Sequence, residues 1–224
     1  MPTITFASSK GGCGKSTAAV LLAAALAERS AVTVIDADPN QPIVRWSKRP
    51  GRPQNLTVIG DIIQDTLLDA IEDAEGKTPF VIVDLEGTAN LLVSQALSRA
   101  DLAIVPLKSS TLDAIEALKL VKFITQQERA YRKDIPYRLL FTQTPPAIRS
   151  RTLKAIEADL LGQGVPMFST ALHDRDAYRA VFAMGGTLGT LNPQEVGGLD
   201  PARTNADRYV AEVVRALKAL RSAA

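Results

Sequence analysis

Ser8-Ser9-Lys10-Gly11-Gly12-Cys13-Gly14-Lys15-Ser16-Thr17 is the stretch that decides the fold. It follows the alternating run Thr3-Ile4-Thr5-Phe6 and precedes an alanine- and leucine-rich stretch of helical character. A strand, a glycine-rich turn and a helix in that order make a phosphate cradle. Successive backbone N–H groups wrap the anion, and the helix turns its positive end toward it. Lys15 then neutralises the β- and γ-phosphates, and the Ser16 hydroxyl holds Mg²⁺. The loop residues Lys10, Gly11, Gly12, Cys13, Gly14, Lys15, Ser16 and Thr17 therefore predict binding of ATP with magnesium. The usual pattern has glycine five residues before Gly14, where this chain has Ser9. Gly11 and Gly12 supply the tight turn instead, and Lys10 is an additional lysine inside the loop.

Outward from this loop, apolar strand-like runs alternate with helical patterns. Strands are expected at Pro2–Ala7, Ala31–Asp36, Leu56–Ile59, Phe80–Asp84, Leu102–Pro106, Tyr137–Thr142 and Pro166–Thr170. Helices are expected at Lys15–Arg29, Pro42–Lys48, Asp61–Asp73, Leu91–Ser98, Leu112–Arg132, Ser150–Leu161, Asp174–Met184 and Pro201–Leu220. Continuous apolar strands such as Phe80-Val81-Ile82-Val83 imply burial on both faces of a sheet. The prediction is an α/β fold: one P-loop domain over residues 1–224, a mostly parallel twisted sheet with helices on both faces. Arg49–Gln54 reads as a loop, and the glycine-rich Gly185–Gly198 as a mobile or partner-facing one.

The 224 residues suffice to bury a core without disulfides or structural metal. A formal net charge of +2 names no partner by itself. Cys13 is the only cysteine and His173 the only histidine, which excludes a CxxC motif and a cysteine-based metal site. With no basic region before the first strand and no apolar run of membrane-spanning length, a cytoplasmic protein is expected.

Three further acidic residues fit the loop. Asp36 and Asp38 follow the second strand in Val34-Ile35-Asp36-Ala37-Asp38-Pro39, and Asp84 ends the run Phe80–Asp84. In a parallel sheet the C-terminal strand ends share one crevice, so these carboxylates can converge on the phosphate loop. One carboxylate there typically holds the metal through water, and a second positions the attacking water. Either can instead cap the helix that follows.

These residues resemble a family. Lys10–Thr17 is similar to the deviant Walker A box of the ParA/MinD ATPases, whose hallmark is the additional lysine. Asp36-Ala37-Asp38-Pro39-Asn40-Gln41 resembles their Walker A′ box, and Val81-Ile82-Val83-Asp84 their Walker B strand. Ile104-Val105-Pro106, Thr111-Leu112-Asp113 and Ser169–Tyr178 look like the compact branch of small plasmid-partition and VirC-type ATPases. The resemblance implies that Lys10 crosses a homodimer interface to the partner's ATP, that Asp38 orients the hydrolytic water, and that Asp36 and Asp84 support magnesium. Lys15 and Ser16 keep the roles given above. It also implies non-specific binding of double-stranded DNA by the ATP-bound dimer, nucleoid association in that state, and a ParB-like or other adaptor that stimulates slow hydrolysis. Many members continue Walker B as Asp-Thr-Pro-Pro, whereas this chain has Asp84-Leu85-Glu86-Gly87-Thr88.

Basic residues are the candidates for DNA contact. Arg149, Arg151 and Lys154 open one helix, and Arg208, Arg215 and Lys218 share a face of the last. Such a stripe binds phosphates without reading sequence, but it is equally the pattern of a solvated helix face. Trp46, beside Arg45, Lys48 and Arg49, is expected to pack a helix onto the sheet. His173 is expected near the nucleotide or a partner face. Three other functions carry the same loop. A MinD-type membrane-positioning ATPase needs a terminal amphipathic anchor, and Val210–Leu220 fits packing against the domain better, so no stable membrane insertion is expected. An iron–sulfur carrier needs cluster cysteines, which are absent. A small-molecule synthetase remains open.

Overall fold

The computed structural model describes residues 1–87, 90–147 and 150–223. Arg149 and Thr88 lie outside the described residues.

The elements run β1 (Thr3–Phe6), α1 (Lys15–Ala27), β2 (Val32–Ala37), α2 (Pro42–Ser47), β3 (Leu56–Ile59), α3 (Leu67–Glu75), β4 (Phe80–Leu85) and α4 (Leu91–Arg99). They continue with β5 (Leu102–Leu107), α5 (Thr111–Tyr131), β6 (Tyr137–Thr144), α6 (Arg151–Gly162), β7 (Leu172–His173), α7 (Asp176–Met184) and α8 (Leu199–Ala223). The seven strands form one sheet in the order β3-β2-β4-β1-β5-β6-β7, with every pairing parallel.

Alternation along the strands builds two cores. Ile4, Phe6, Val32, Val34, Ile82 and Ile104 face one layer, packed with α1, α7 and α8. Ile35, Val81, Val83, Ala103 and Val105 face the other, packed with α3, α4, α5 and α6. Both faces are covered, which is why β4 and β5 carry apolar residues on both sides, while β1 and β2 bury Thr3, Thr5 and Thr33. The chain leaves β1 toward β2 and β3, returns to β4 beside β1, and then builds outward through β5 on the other side. The crevice at that reversal, above the C-terminal strand ends, is where ligands of open α/β sheets bind.

Several boundaries depart from the sequence expectation. The helix expected from Asp61 begins at Leu67, because Asp61 adopts a left-handed φ of 56° that no helix accepts. The strand expected at Pro166–Thr170 touches β6 only around Met167, and the last strand is instead Leu172–His173. A side chain causes the break. The Glu212 carboxylate takes the backbone N–H of Ser169 (2.7 Å) and of Thr170 (2.9 Å), diverting both from the ladder. The last helix starts two residues early, at Leu199, which places Pro201 in its first turn where a missing N–H costs nothing.

The Gly185–Gly198 loop does not match the expectation of a mobile or partner-facing segment. Instead Leu188, Leu191 and Val196 are buried in the core beside α8. Gly185 and Gly186 have positive φ and lie so close to Arg49, Pro50 and Thr190 that a Cβ at either would collide. Trp46 is fully buried and donates its indole N–H to the Gly186 carbonyl at 3.0 Å, so it packs α2 and pins this loop.

Candidate active site

The phosphate loop leaves β1 and enters α1 through Gly12 and Gly14, whose φ angles of 72° and 80° are left-handed. Glycine is the residue that takes this geometry without strain. The loop is tied to the end of β6: the Thr142 hydroxyl donates to the Cys13 carbonyl at 2.6 Å, and Gln143 Nε2 to the Gly12 carbonyl at 3.0 Å. Cys13 is buried, with its carbonyl committed to this tie. From the other side comes Gly87, where a Cβ would stand 3.0 Å from the Lys10 carbonyl carbon and 3.1 Å from the Gly11 nitrogen. The segment after β4 therefore runs against the loop backbone, and Gly87 is the departure from Asp-Thr-Pro-Pro that permits it.

The three expected carboxylates converge. Strand register places Asp36 directly opposite Asp84, and Asp84 opposite Phe6, the last residue of β1. Lys15 Nζ lies 2.7 Å from Asp84 Oδ1 and 3.8 Å from Asp38 Oδ2. Asp84 is wholly buried. Burial pushes its carboxyl above the usual range, and the ammonium of Lys15 works against that rise.

Asp36 has a different use. Its Oδ2 accepts the backbone N–H of Ile43 (2.8 Å) and Val44 (2.9 Å), which satisfies the first turn of α2, while Oδ1 has only a 3.4 Å bond from the Asp38 N–H. Burial, chiefly, and the charge of Asp84 raise its pKa to about 6, against the pull of the backbone donors. The helix-capping role weighed for these aspartates is thus seen at Asp36. Asp38 faces the cavity over the loop, its Oδ1 holding Asn40 N at 2.8 Å and its Oδ2 left for Lys15.

Magnesium fits this arrangement. Among the described residues Asp84 Oδ2 is buried without a hydrogen bond, with the Ser16 hydroxyl acting on the same carboxylate, and a hydrated cation beside Ser16 would satisfy it. Among the described residues no group of three or more His, Cys, Asp or Glu side chains makes a cage for a metal. Mg²⁺ suits that donor set, because it keeps its waters and relies on substrate phosphates for the remaining ligands.

Two joined cavities lie over and beside the loop. The first, about 310 Å³, is lined by Lys10–Thr17, Asp38, Gly87 and Gln143. The second, about 420 Å³, shares Gly14, Thr17, Gln143 and Phe182 with it and extends over Leu172, His173, Arg175 and Tyr178. Among the described residues Arg175 Nε is buried without a hydrogen-bond partner. Tyr178 OH lies 3.0 Å from Asn205 Oδ1, which also accepts the His173 N–H, so α8 braces this wall. His173 stands in the wall of this cavity, with Nδ1 2.9 Å from the Thr144 hydroxyl. Sequence reasoning did not assign Thr142, Gln143, Arg175, Tyr178 or Phe182. The position of Thr142 and Gln143 at a strand C-terminus was the available signal.

Lys10 is half exposed, its Nζ 3.2 Å from Asp113 Oδ1 at the start of α5. Arg208, Arg215 and Lys218 are exposed on α8, and Arg151 and Lys154 on α6. The two basic groups do not form one stripe, because α8 packs on one face of the sheet and α6 on the other.

A family model described as VirC1 protein matches residues 1–220. Protein ParA of Rhizobium radiobacter is 36% identical over 218 residues, covering 97% of this chain and 98% of its own length. The maintenance of carboxysome distribution protein A of Halothiobacillus neapolitanus is 26% identical over 187 residues, covering 82% of this chain and 84% of its own. Among solved structures, a plasmid partition protein of Borrelia burgdorferi bound to AMPPNP superposes with a TM-score of 0.71 at 18% identity, covering 96% of this chain and 98% of that one. A fold, a phosphate loop with two lysines and matches of this extent lead to one assignment: the chain belongs to the VirC1 family and is a ParA-type ATPase.

Proposed function

We propose that this chain is an ATP-switched homodimer that partitions DNA, binding duplex non-specifically in its ATP-bound state and releasing it on hydrolysis stimulated by a ParB-like or other adaptor. The observation that carries the reading is the contrast between the two loop lysines. Lys15 is buried against Asp84 within its own site, whereas Lys10 is 53% exposed on the open side of the same loop. A charge on that side is available to the phosphates of a second subunit. Leu112 and Ile115 flank Asp113 with 70% and 47% exposure, apolar area that a second copy would cover.

In this reading the N–H groups of Gly11 to Thr17 and the Lys15 ammonium bind the ATP phosphates. Ser16 and Asp84 would hold magnesium and its waters, with Asp36 supporting them from the end of β2. Magnesium supplies charge neutralisation at the transferring phosphoryl group. Asp38, which lines the cavity over the loop, would orient the attacking water. Arg208, Arg215 and Lys218, with Arg151, Lys154 and Arg149 second, meet DNA phosphates. The relatives leave the cargo open between a plasmid and a protein compartment. An amphipathic membrane anchor is not favoured, since Tyr209, Val213 and Leu217 of α8 are buried against α1 and its neighbours. No helix of the described residues is long and apolar enough to cross a membrane.

The test is fluorescence anisotropy with unrelated duplexes at low salt, in ATP–Mg²⁺, ADP–Mg²⁺ and no nucleotide. Only the ATP form should bind, with equal affinity for each sequence. Absence of binding in all three states sinks the DNA reading and leaves a protein-scaffold or metabolite role.

A further inference from the structure

The additional lysine is not simply free in solution. Its ammonium is held by Asp113 of its own chain, with Nζ to Oδ1 at 3.2 Å. Asp113 is the third residue of α5 and is 6% exposed. Its other oxygen accepts the Ser110 hydroxyl, and Ser110 Oγ accepts the Asp113 N–H at 3.1 Å in return. This reciprocal pair caps α5 and fixes the carboxylate in place. Burial pushes the Asp113 carboxyl up, but hydrogen bonds from Ser110 and Lys10, with the charges of Lys10 and Lys108, outweigh it and hold the group below the usual range. At neutral pH Asp113 is therefore an anion in a mostly dry setting that needs a cation. Glu116, one turn along α5, lines the same crevice but is paired with Lys119 at 2.7 Å.

An ammonium held by Asp113 of its own subunit at 3.2 Å is less available to the phosphates of another. We propose that Asp113 is a positioning residue that retains Lys10 on its own subunit until a second ATP-loaded subunit competes for it, so that this contact sets the threshold for dimerisation. The inference rests on the homodimer proposed above. When Lys10 leaves, Lys108 remains near Asp113 to limit the cost of the exchange. A half-exposed lysine on a nearly buried carboxylate is worth about fivefold in an equilibrium at most. Each subunit gives up one such pair, so the two together amount to roughly 25-fold in the dimer dissociation constant.

The experiment is light scattering or sedimentation against protein concentration, with AMPPNP and Mg²⁺, on wild type and Asp113→Asn. The amide keeps a partner for Ser110 and removes the charge. Asp113→Asn should dimerise at concentrations about 5- to 25-fold lower than wild type, and the gap should close at high salt. A variant that merely loosened α5 would dimerise less well, so the direction separates positioning from structure. If Asp113→Asn melts well below wild type, Asp113→Ser, which retains a hydroxyl in the first turn of α5, makes the same comparison. Dimerisation equal to or weaker than wild type in the folded variant overturns the positioning role and leaves the homodimer standing. Wild type that stays monomeric at saturating nucleotide overturns the homodimer, and this inference with it.

Discussion

Charges are handled in opposite ways at the crevice and on α8. Beside the phosphate loop, Lys15, Asp36 and Asp84 are each less than a tenth exposed and depend on one another. On α8, Arg208, Arg215 and Lys218 stand in water with the apolar face of the helix beneath them. A buried charge must be compensated by a specific neighbour, so altering one changes the state of the rest. Exposed charges act on a distant partner almost independently, and salt screens them. The crevice should therefore respond to substitution steeply and cooperatively, and α8 gradually and additively.

The largest expected effect is at Asp38, the one carboxylate of the cluster with an oxygen turned to the cavity. Asp38→Ala should bind ATP and still dimerise, yet hydrolyse it about 100-fold more slowly or worse, the scale of losing a group that orients an attacking water. Single-turnover kinetics separate that loss from binding. Unchanged turnover would shift the role to Asp36 and erase the distinction between a capping and a water-positioning aspartate.

An intermediate effect is expected on α8. Charge reversal of Arg215 and Lys218 together should weaken duplex binding by about 10- to 100-fold at low salt, uniformly across sequences and with a shallower salt slope. ATP affinity should not change. Because α6 lies on the other face of the sheet, reversing Arg151 and Lys154 should add to the α8 loss only if the dimer presents both faces to one duplex. A loss confined to one DNA sequence would contradict a phosphate-only surface.

The same contrast explains what was readable in the sequence. The loop, Asp36, Asp38 and Asp84 were legible because chemistry fixes residue types at strand ends, and parallel register then brings them together. The sheet was legible because strands covered on both faces must be apolar. The lining of the second cavity was not, since Gln143, Arg175, Tyr178 and Phe182 come from separate places along the chain and have no local spacing in common. The last strand was misplaced for a similar reason: Glu212, more than 40 residues downstream, removes Ser169 and Thr170 from the ladder. Glycines at 185 and 186 suggested mobility, but they mark close packing against Arg49 and Pro50. Local composition cannot tell a glycine that frees the chain from one that lets two segments touch.

The smallest expected effect concerns the nucleotide-free protein and isolates the cost of the buried cluster. Asp36 is 1% exposed and faces Asp84 across the β2–β4 ladder, while the nearby ammonium of Lys15 is taken by Asp84. Its pKa of about 6 in the fold, against 3.8 ordinarily, means the native state holds that proton more tightly than the unfolded chain. The resulting stabilisation is complete below the unfolded pKa and disappears as pH rises through about 6. Above that pH a charge is buried without a cation of its own. The substitution Asp36→Asn mimics the neutral state and keeps an oxygen for the Ile43 and Val44 N–H groups. Full linkage over this shift would correspond to about 3 kcal/mol, and weaker bonds from those N–H groups to a neutral oxygen return part of it. Asp36→Asn should thus be more stable than wild type by about 1–2 kcal/mol at neutral pH, and equal to it near pH 4. Urea unfolding at the two pH values measures this. Mg²⁺–ATP should reduce the gain, because added positive charge beside Asp84 favours the ionised carboxylate. A variant no more stable than wild type at neutral pH would show that Asp36 carries its charge at no cost, and that the crevice and the surface of α8 do not differ in the way proposed.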